Sequence, residues 1–146
     1  MERVSFFAEG CPAPKGSTKS FRNARTVAMV TMGDCARTKP WQKVVATFAM
    51  QAAVQKASGP VRLELDFFFS RPRYHYGRGK NEETVKERAP VYHGSKPDLD
   101  KLIRSVLDAL TGIAYADDSQ VVEVRAGKRY CASPSQPEGV AVVIVC

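Results

Sequence analysis

Five aspartates lie within residues 95–124, "SKPDLDKLIRSVLDALTGIAYADDSQVVEV", in a chain whose formal net charge is +7. Residues 97–118 carry two basic residues against five acidic ones, whereas residues 1–40 and 71–96 each have an excess of four positive charges. Carboxylate oxygens are the ligands that Mg²⁺ prefers in proteins, and clustered basic side chains bind phosphates. The charge pattern is therefore typical of an acidic metal site within a surface that binds nucleic acid, although basic charge alone also serves solubility.

The first two acids, Asp98 and Asp100, lie at the start of a predicted amphipathic helix, "DLDKLIRSVLDALTG". Its apolar residues recur at helical spacing, and Gly112 is typical of a helix end. An aspartate at the N-cap accepts hydrogen bonds from free backbone N–H groups, and acids near the helix start gain about 0.3–1 kcal/mol. The pair therefore fits a helix cap as readily as a metal site.

The last two acids, Asp117 and Asp118, follow this helix in "YADDSQV". A helix of this length is about 20 Å long at 1.5 Å per residue. Because only a short turn joins the helix to the next strand, the two should pack antiparallel. The spacing alone therefore predicts that Asp117 and Asp118 lie at the far end of the helix from Asp98.

One face of the same helix carries Asp100, Arg104 and Asp108 at intervals of four residues. Two interpretations remain open. The three side chains form surface ion pairs, worth about 0.2–0.5 kcal/mol each, or Arg104 lies beside a carboxylate cluster and contacts a phosphate.

Strands and helices are predicted on both sides of this window. "RVSFFA", "VRLELDFFFS", "SQVVEVRAGKRY" and "GVAVVIVC" indicate strands, and "KPWQKVVATFAMQAAVQKASG" indicates a helix. At 146 residues, with 44% hydrophobic and 25% charged residues, the sequence predicts a single soluble domain over 1–146. We expect an α+β fold, a small mixed β-sheet packed with two main helices.

Two segments are predicted as basic loops. "GCPAPKGSTKSFRNART" carries Lys15, Lys19, Arg22 and Arg25 around Phe21, and the loop beginning "RPRYHYGRGK" carries Arg71, Arg73, Arg78 and Lys80 around Tyr74, His75 and Tyr76. Basic loops with interleaved aromatic residues fit a DNA clamp, and a surface insertion explains them equally well.

Other classes of protein fit the sequence poorly. No apolar stretch is long enough for a membrane span, and the N-terminus lacks the layout of a signal peptide, so we expect a cytoplasmic protein. The four cysteines are widely spaced without a CxxC pair, which argues against a zinc site or a disulfide framework. We expect free thiols.

Taken in order, "GCPAPKG", "VRLELDFFFSRP", "KPDLDKLIRSVLDALTG", "DDSQVV" and Lys128 resemble the motifs of the RusA family of Holliday junction resolvases. The resemblance covers nearly the whole chain. It implies a homodimer and an endonuclease that requires Mg²⁺ or Mn²⁺. It also implies three metal-binding, catalytic aspartates, which fall on Asp98, Asp100 and Asp118, so these would have to converge, with a partner chain able to complete the pocket.

Two positions depart from the family pattern. Lys101 stands where the family has asparagine, and Arg104 stands where it has a catalytic lysine. Arginine can bind a phosphate with two hydrogen bonds but does not readily release a proton. Arg104 therefore fits charge stabilisation, a role that Lys128 would share, and not general acid–base chemistry.

The sequence thus predicts a Mg²⁺-dependent crossover junction endodeoxyribonuclease that resolves four-way DNA junctions by paired symmetric nicks in recombination and repair, in bacterial or phage-infected cytoplasm. The alternatives are a relaxed nuclease for branched or flapped DNA, or a non-catalytic DNA-binding protein. The catalytic residues are predicted to be Asp98, Asp100, Arg104 and Asp118. The predicted DNA contacts are Lys15, Lys19, Arg22, Arg71, Arg73, Lys101 and Lys128.

Overall fold

The computed structural model of the chain describes residues 2–22, 29–34 and 36–146, and for 17–22 and 29–34 it describes the backbone alone. A four-stranded sheet and two helices form the body of the fold. Its elements are β1 (Arg3–Glu9), α1 (Thr38–Gln51), β4 (Val61–Phe69), α2 (Leu99–Leu110), β5 (Val121–Tyr130) and β6 (Gly139–Val145), and a separate hairpin consists of β2 (Lys15–Arg22) and β3 (Met29–Asp34). The predicted mixed sheet with two helices is confirmed.

The sheet has the strand order β1-β6-β4-β5. β6 pairs antiparallel with both β1 and β4, whereas β4 and β5 are parallel. Along β4 every second residue is buried, from Val61 to Phe69, as the alternating sequence predicts. The sheet therefore has one face in the core and one face directed away from it.

Both helices pack on the core face of the sheet and against each other. Their buried apolar residues are Trp41, Val45 and Ala49 in α1 and Leu102, Val106 and Leu110 in α2. α1 ends at Gln51, well before the predicted stop at Gly59, because Ala53 adopts a positive φ of 56°. Its N–H bonds to Met50 O and that of Val54 to Ala49 O, which is the pattern of a Schellman motif.

The prediction of a loop throughout "GCPAPKGSTKSFRNART" is wrong in part, because β2 occupies Lys15–Arg22 and pairs with β3. These strands form a ribbon apart from the main sheet and lack the alternating apolar residues that identified the other strands. Arg25 lies outside the described residues.

The predicted long loop between β4 and α2 contains two single 3₁₀ turns and is fastened to the end of β5. The His93 N–H donates to Lys128 O at 3.1 Å, and the Tyr130 N–H donates to Val91 O at 2.9 Å. Arg71 donates to Cys131 O and Pro90 O, both at 2.7 Å. These bonds fix where the chain enters α2.

Two smaller expectations also have outcomes. Cys11, Cys131 and Cys146 are free thiols, as predicted, and Cys35 lies outside the described residues. Over the part of the chain that the structure describes, neither helix has the length and apolarity needed to cross a membrane.

Candidate active site

At the start of α2, the first two acids leave their carboxylates accessible. Asp98 occupies the N-cap position with extended backbone angles (φ −68°, ψ 139°), but its side chain accepts no capping hydrogen bond. Its carboxylate lies 3.4 Å from the ammonium of Lys101, and the Asp98 side chain is 52% exposed. Asp100 lies in the first turn and is exposed. The prediction that the Asp98 side chain caps the helix is therefore wrong.

Lys128, near the end of β5, holds the chain that leads into this helix. Its ammonium donates to Ser95 O at 2.6 Å and to Pro97 O at 2.7 Å. Two of its three N–H donors are thus used on main-chain carbonyls directly before Asp98. This arrangement supports the position of Asp98, and it places a cation at the segment that leads into α2.

The face of α2 shared by Asp100, Arg104 and Asp108 does not form the ion-pair ladder that one interpretation predicted. The carboxylate of Asp108 accepts a hydrogen bond from Lys15 instead, and this ion pair fastens β2 to α2. Arg104 is exposed, and among the described residues it pairs with neither Asp100 nor Asp108. Its guanidinium is therefore available to bind an anion beside the helix.

After α2, the neighbouring acids Asp117 and Asp118 have different surroundings. The Asp117 carboxylate accepts a 2.8 Å hydrogen bond from the Ser119 N–H and caps a single 3₁₀ turn, and hydrogen bonding to Ser119 lowers the pKa of Asp117. Asp118 is exposed. Burial raises the pKa of Tyr115, and the charges of Asp118 and Asp108 raise it further. Asp118 is thus the less engaged of the two and lies near the C-terminal half of α2.

Gln120 organises the turn that presents Asp118. Its side-chain oxygen accepts from the N–H groups of Ala116 at 2.8 Å and Asp117 at 3.2 Å. Its side-chain nitrogen donates to Ala57 O and Gly59 O, both at 3.0 Å. Four hydrogen bonds from one side chain therefore join this turn to the segment before β4.

The two groups of acids lie at opposite ends of α2, as the spacing predicted. At one end, the Tyr115 hydroxyl donates to Leu107 O at 2.7 Å. At the other, Lys128 contacts Pro97, and the seven residue steps of β5 between Val121 and Lys128 span about 23 Å at 3.3 Å per residue. Within the described ranges, no three His, Cys, Asp or Glu side chains lie close enough to hold a metal ion. One chain alone therefore does not form the predicted three-aspartate site.

Comparison with known proteins shows the family to which this small basic α+β chain belongs. The sequence model of the family described as Endodeoxyribonuclease RusA matches residues 10–143. The chain belongs to the RusA family. It is also 30% identical over 136 residues to the uncharacterized protein YqaN of Bacillus subtilis (strain 168), an alignment that covers 92% of each chain. Membership of the RusA family indicates an endodeoxyribonuclease.

The side chains predicted to contact DNA in this RusA-family chain differ in how many contacts they make within the chain itself. Arg71 bonds two carbonyls, and its guanidinium lies 5.3 Å from the centre of the Tyr130 ring, so it holds the loop. Arg73 is highly exposed and pairs loosely with Glu82 at 3.8 Å. Lys19 and Arg22 lie on β2, but their own side chains are outside the described part of the structure.

Sequence reasoning missed two sets of contacts around the RusA-family site. The first is Gln120, which has a readable signal because it stands three residues after Asp117, the spacing of a capping box. The second is a pair of histidines, His75 and His93, packed edge-on against the Tyr130 ring at 4.9 and 5.0 Å. Burial is the main cause that lowers the pKa of each histidine. No periodic pattern connects these two loop residues, so the sequence gives no signal for them.

Proposed function

We propose that this chain is a homodimeric, structure-selective endodeoxyribonuclease that uses Mg²⁺ or Mn²⁺ to resolve four-way DNA junctions by paired symmetric nicks. The observation that carries the proposal is the set of exposed acids in a basic RusA-family chain. Asp98, Asp100 and Asp118 are all accessible to solvent, while the structural hydrogen bonds around them are made by Lys128, Asp117 and Gln120.

The proposed metal ligands are Asp98 and Asp100 of one chain and Asp118 of a second copy. Their oxygens suit a hard divalent cation, but in a single chain Asp118 lies at the other end of α2. A twofold axis perpendicular to α2 near its middle exchanges the two ends, so that each pair at the helix start approaches the partner copy's turn. When bound, such a cation activates water and stabilises charge on a phosphate.

The chain's own side chains supply the remaining functions. Arg104 lies at the middle of α2, between the two ends, and can bind a phosphate oxygen pair with two hydrogen bonds. Lys128 fixes the backbone that carries Asp98. The basic segments that flank the acidic window contact the DNA backbone without reading its sequence, so binding should weaken as salt rises.

Paired nicks follow from the proposed symmetry. A twofold dimer presents two equivalent sites, and a four-way junction requires one cut in each of two opposing strands. A dimer with one intact site would leave a nicked junction instead of two separated duplexes, and a single copy, which lacks a complete site, would leave the junction uncut.

The test compares a synthetic four-way junction with a linear duplex of the same sequence, in Mg²⁺ and in EDTA, using wild type and Asp100→Asn. The proposal expects symmetric nicks in the junction alone, lost with EDTA and with the variant, whereas the variant still binds the junction. Cutting of an added flapped duplex as readily as the junction would indicate a relaxed branched-DNA nuclease. Binding without cutting under every condition would indicate a DNA-binding protein.

A further inference from the structure

A groove beside Asp98 brings together basic side chains that the proposal above does not name. It has a volume of about 300 Å³ and is lined by Pro14, Arg37, Lys96, Pro97, Asp98 and Lys101. Three separate parts of the chain meet there: the loop before β2, the residue before α1, and the segment around the start of α2. Contact between such distant segments makes the groove a feature of the fold and not of one loop. We call it the proline groove.

The proline groove is electropositive. Its lining has three basic residues and one acidic residue, and Lys101 already pairs with Asp98 at 3.4 Å. Arg37 and Lys96 are exposed, and in the described part of the chain neither makes an ion pair. The Arg37 guanidinium donates to the Cys11 sulfur at 3.2 Å, a weak acceptor that orients it without offering a carboxylate. Among the described side chains, these two positive charges therefore have no acidic partner in the groove.

The shape and composition of the proline groove favour one class of ligand. Its walls include Pro14 and Pro97, which have no N–H donor, so an anion bound there depends on the basic side chains. Among the residues whose side chains the structure describes, no aromatic side chain lines it, which disfavours a stacked nucleobase. Away from Asp98, the three basic residues also disfavour a bound cation. A phosphodiester suits the groove, because arginine binds it as a fork and lysine as a point charge.

We propose that the proline groove binds a phosphodiester of the DNA strand next to the one that is cut, through Arg37 and Lys96. This inference rests on the proposed nuclease function, since it takes the acids at the start of α2 as the site of cleavage. Arg37 and Lys96 act by holding the strand. Their loss should therefore weaken binding, while leaving the rate of cleavage of fully bound DNA nearly unchanged.

The experiment measures junction binding by fluorescence anisotropy over a range of salt concentrations without Mg²⁺. Wild type is compared with the double variant Arg37→Gln/Lys96→Gln. The control is Lys43→Gln/Lys56→Gln, which removes two exposed lysines outside the groove and matches the change in charge. We expect the groove variant to bind at least about 10-fold more weakly near 0.1 M salt, and its slope of log K against log salt to be shallower by about 2. The control should change affinity by less than about threefold and keep the slope.

A second measurement locates the phosphate. Single phosphates near the nick are replaced by uncharged methylphosphonates, and one position should lower the affinity of wild type but not of the groove variant. Equal affinities and slopes for the groove variant and the control would overturn the inference. Wild type that binds through Arg37 and Lys96 but never cuts would overturn the nuclease proposal alone. Wild type that does not bind DNA would overturn both.

Discussion

Aspartates lie at both ends of α2, but different kinds of contact position them. At the start, a side chain from another strand, Lys128, bonds the main chain, and Asp98 caps nothing. Beyond the C-terminal end, an aspartate of the turn itself, Asp117, makes the cap, and Gln120 supplies four more hydrogen bonds. The support at the start of α2 comes from a distant strand, whereas the turn after α2 is held by contacts within itself and by two bonds to the segment before β4. Both arrangements leave carboxylates exposed.

This difference shows how to separate structural from functional acids. Asp117 and Asp118 are adjacent in sequence, yet it is the Asp117 carboxylate that accepts the capping hydrogen bond from the Ser119 N–H. At the other end, the position that usually caps a helix is occupied by an aspartate that makes no cap. An acid whose ordinary structural role is filled by another residue is the better candidate for chemistry.

The largest expected effect concerns the proposed site, in which acids at the start of α2 in one copy bind a metal together with Asp118 of a second copy. Asp100→Asn and Asp118→Asn should each lower junction cleavage by at least about 10²-fold. Dimers formed from an equal mixture, unfolded and refolded together, should regain nicking of one strand, because roughly half of them contain one intact site. Denaturing gels of end-labelled junctions measure this.

The matched control for that mixture is Asp117→Asn, which alters the neighbouring carboxylate and should keep cleavage within about threefold of wild type, since a cap contributes about 1 kcal/mol. If the mixture remains as inactive as either variant, each site lies within one chain and the proposed twofold arrangement is wrong. An inactive Asp117→Asn would indicate that Asp117, and not Asp118, is the catalytic acid of this turn.

A smaller effect concerns Arg104, midway between the ends. Arg104→Ala should lower the single-turnover rate by about 10²-fold, because a positive charge near the phosphate is lost. Arg104→Lys should retain most of the rate, and Arg125→Ala, which removes another exposed arginine, on β5, should have little effect. An inactive Arg104→Lys would show that the two-pronged guanidinium is required and not the charge.

The smallest effect concerns the support at the start of α2. Lys128→Met should lower the free energy of unfolding by about 1.5–3 kcal/mol, because its ammonium bonds two carbonyls. Lys101→Met removes an ammonium from the same region but breaks only a half-exposed pair with Asp98, worth at most about 1 kcal/mol. Urea denaturation followed by circular dichroism measures both. Equal losses for the two variants would mean that Lys128 gives Asp98 no special support.

Much of the fold was readable because it depends on local patterns. The alternation in β4 and the 3.6-residue repeat in α2 come from one buried face, and the structure has both elements where they were predicted. The length of α2 and its short exit turn were enough to predict that Asp98 and Asp118 lie apart. The ribbon of β2 and β3 escaped prediction because it lies outside the main sheet.

The site was readable only in part because its contacts are distant in sequence. Lys128 meets Pro97 across 31 residues, and Lys15 meets Asp108 across 93. No local pattern predicts such pairs, since they depend on how whole elements dock. The family motif identified the acids, but it did not show that different residues hold the two ends of α2 in place.

The strand order also has a consequence for how the protein is made. β6, the last strand of the chain, lies between β1 and β4. During synthesis on the ribosome, nothing links β1 to β4 until residues 139–145 emerge. Until then, the edge of each strand that will pair with β6 is exposed. Because every pairing in the main sheet joins segments far apart in the sequence, refolding should be slow and should depend on protein concentration through aggregation. Pairing of β6 with β1 and β4 is thus the step that commits the nascent chain to its fold.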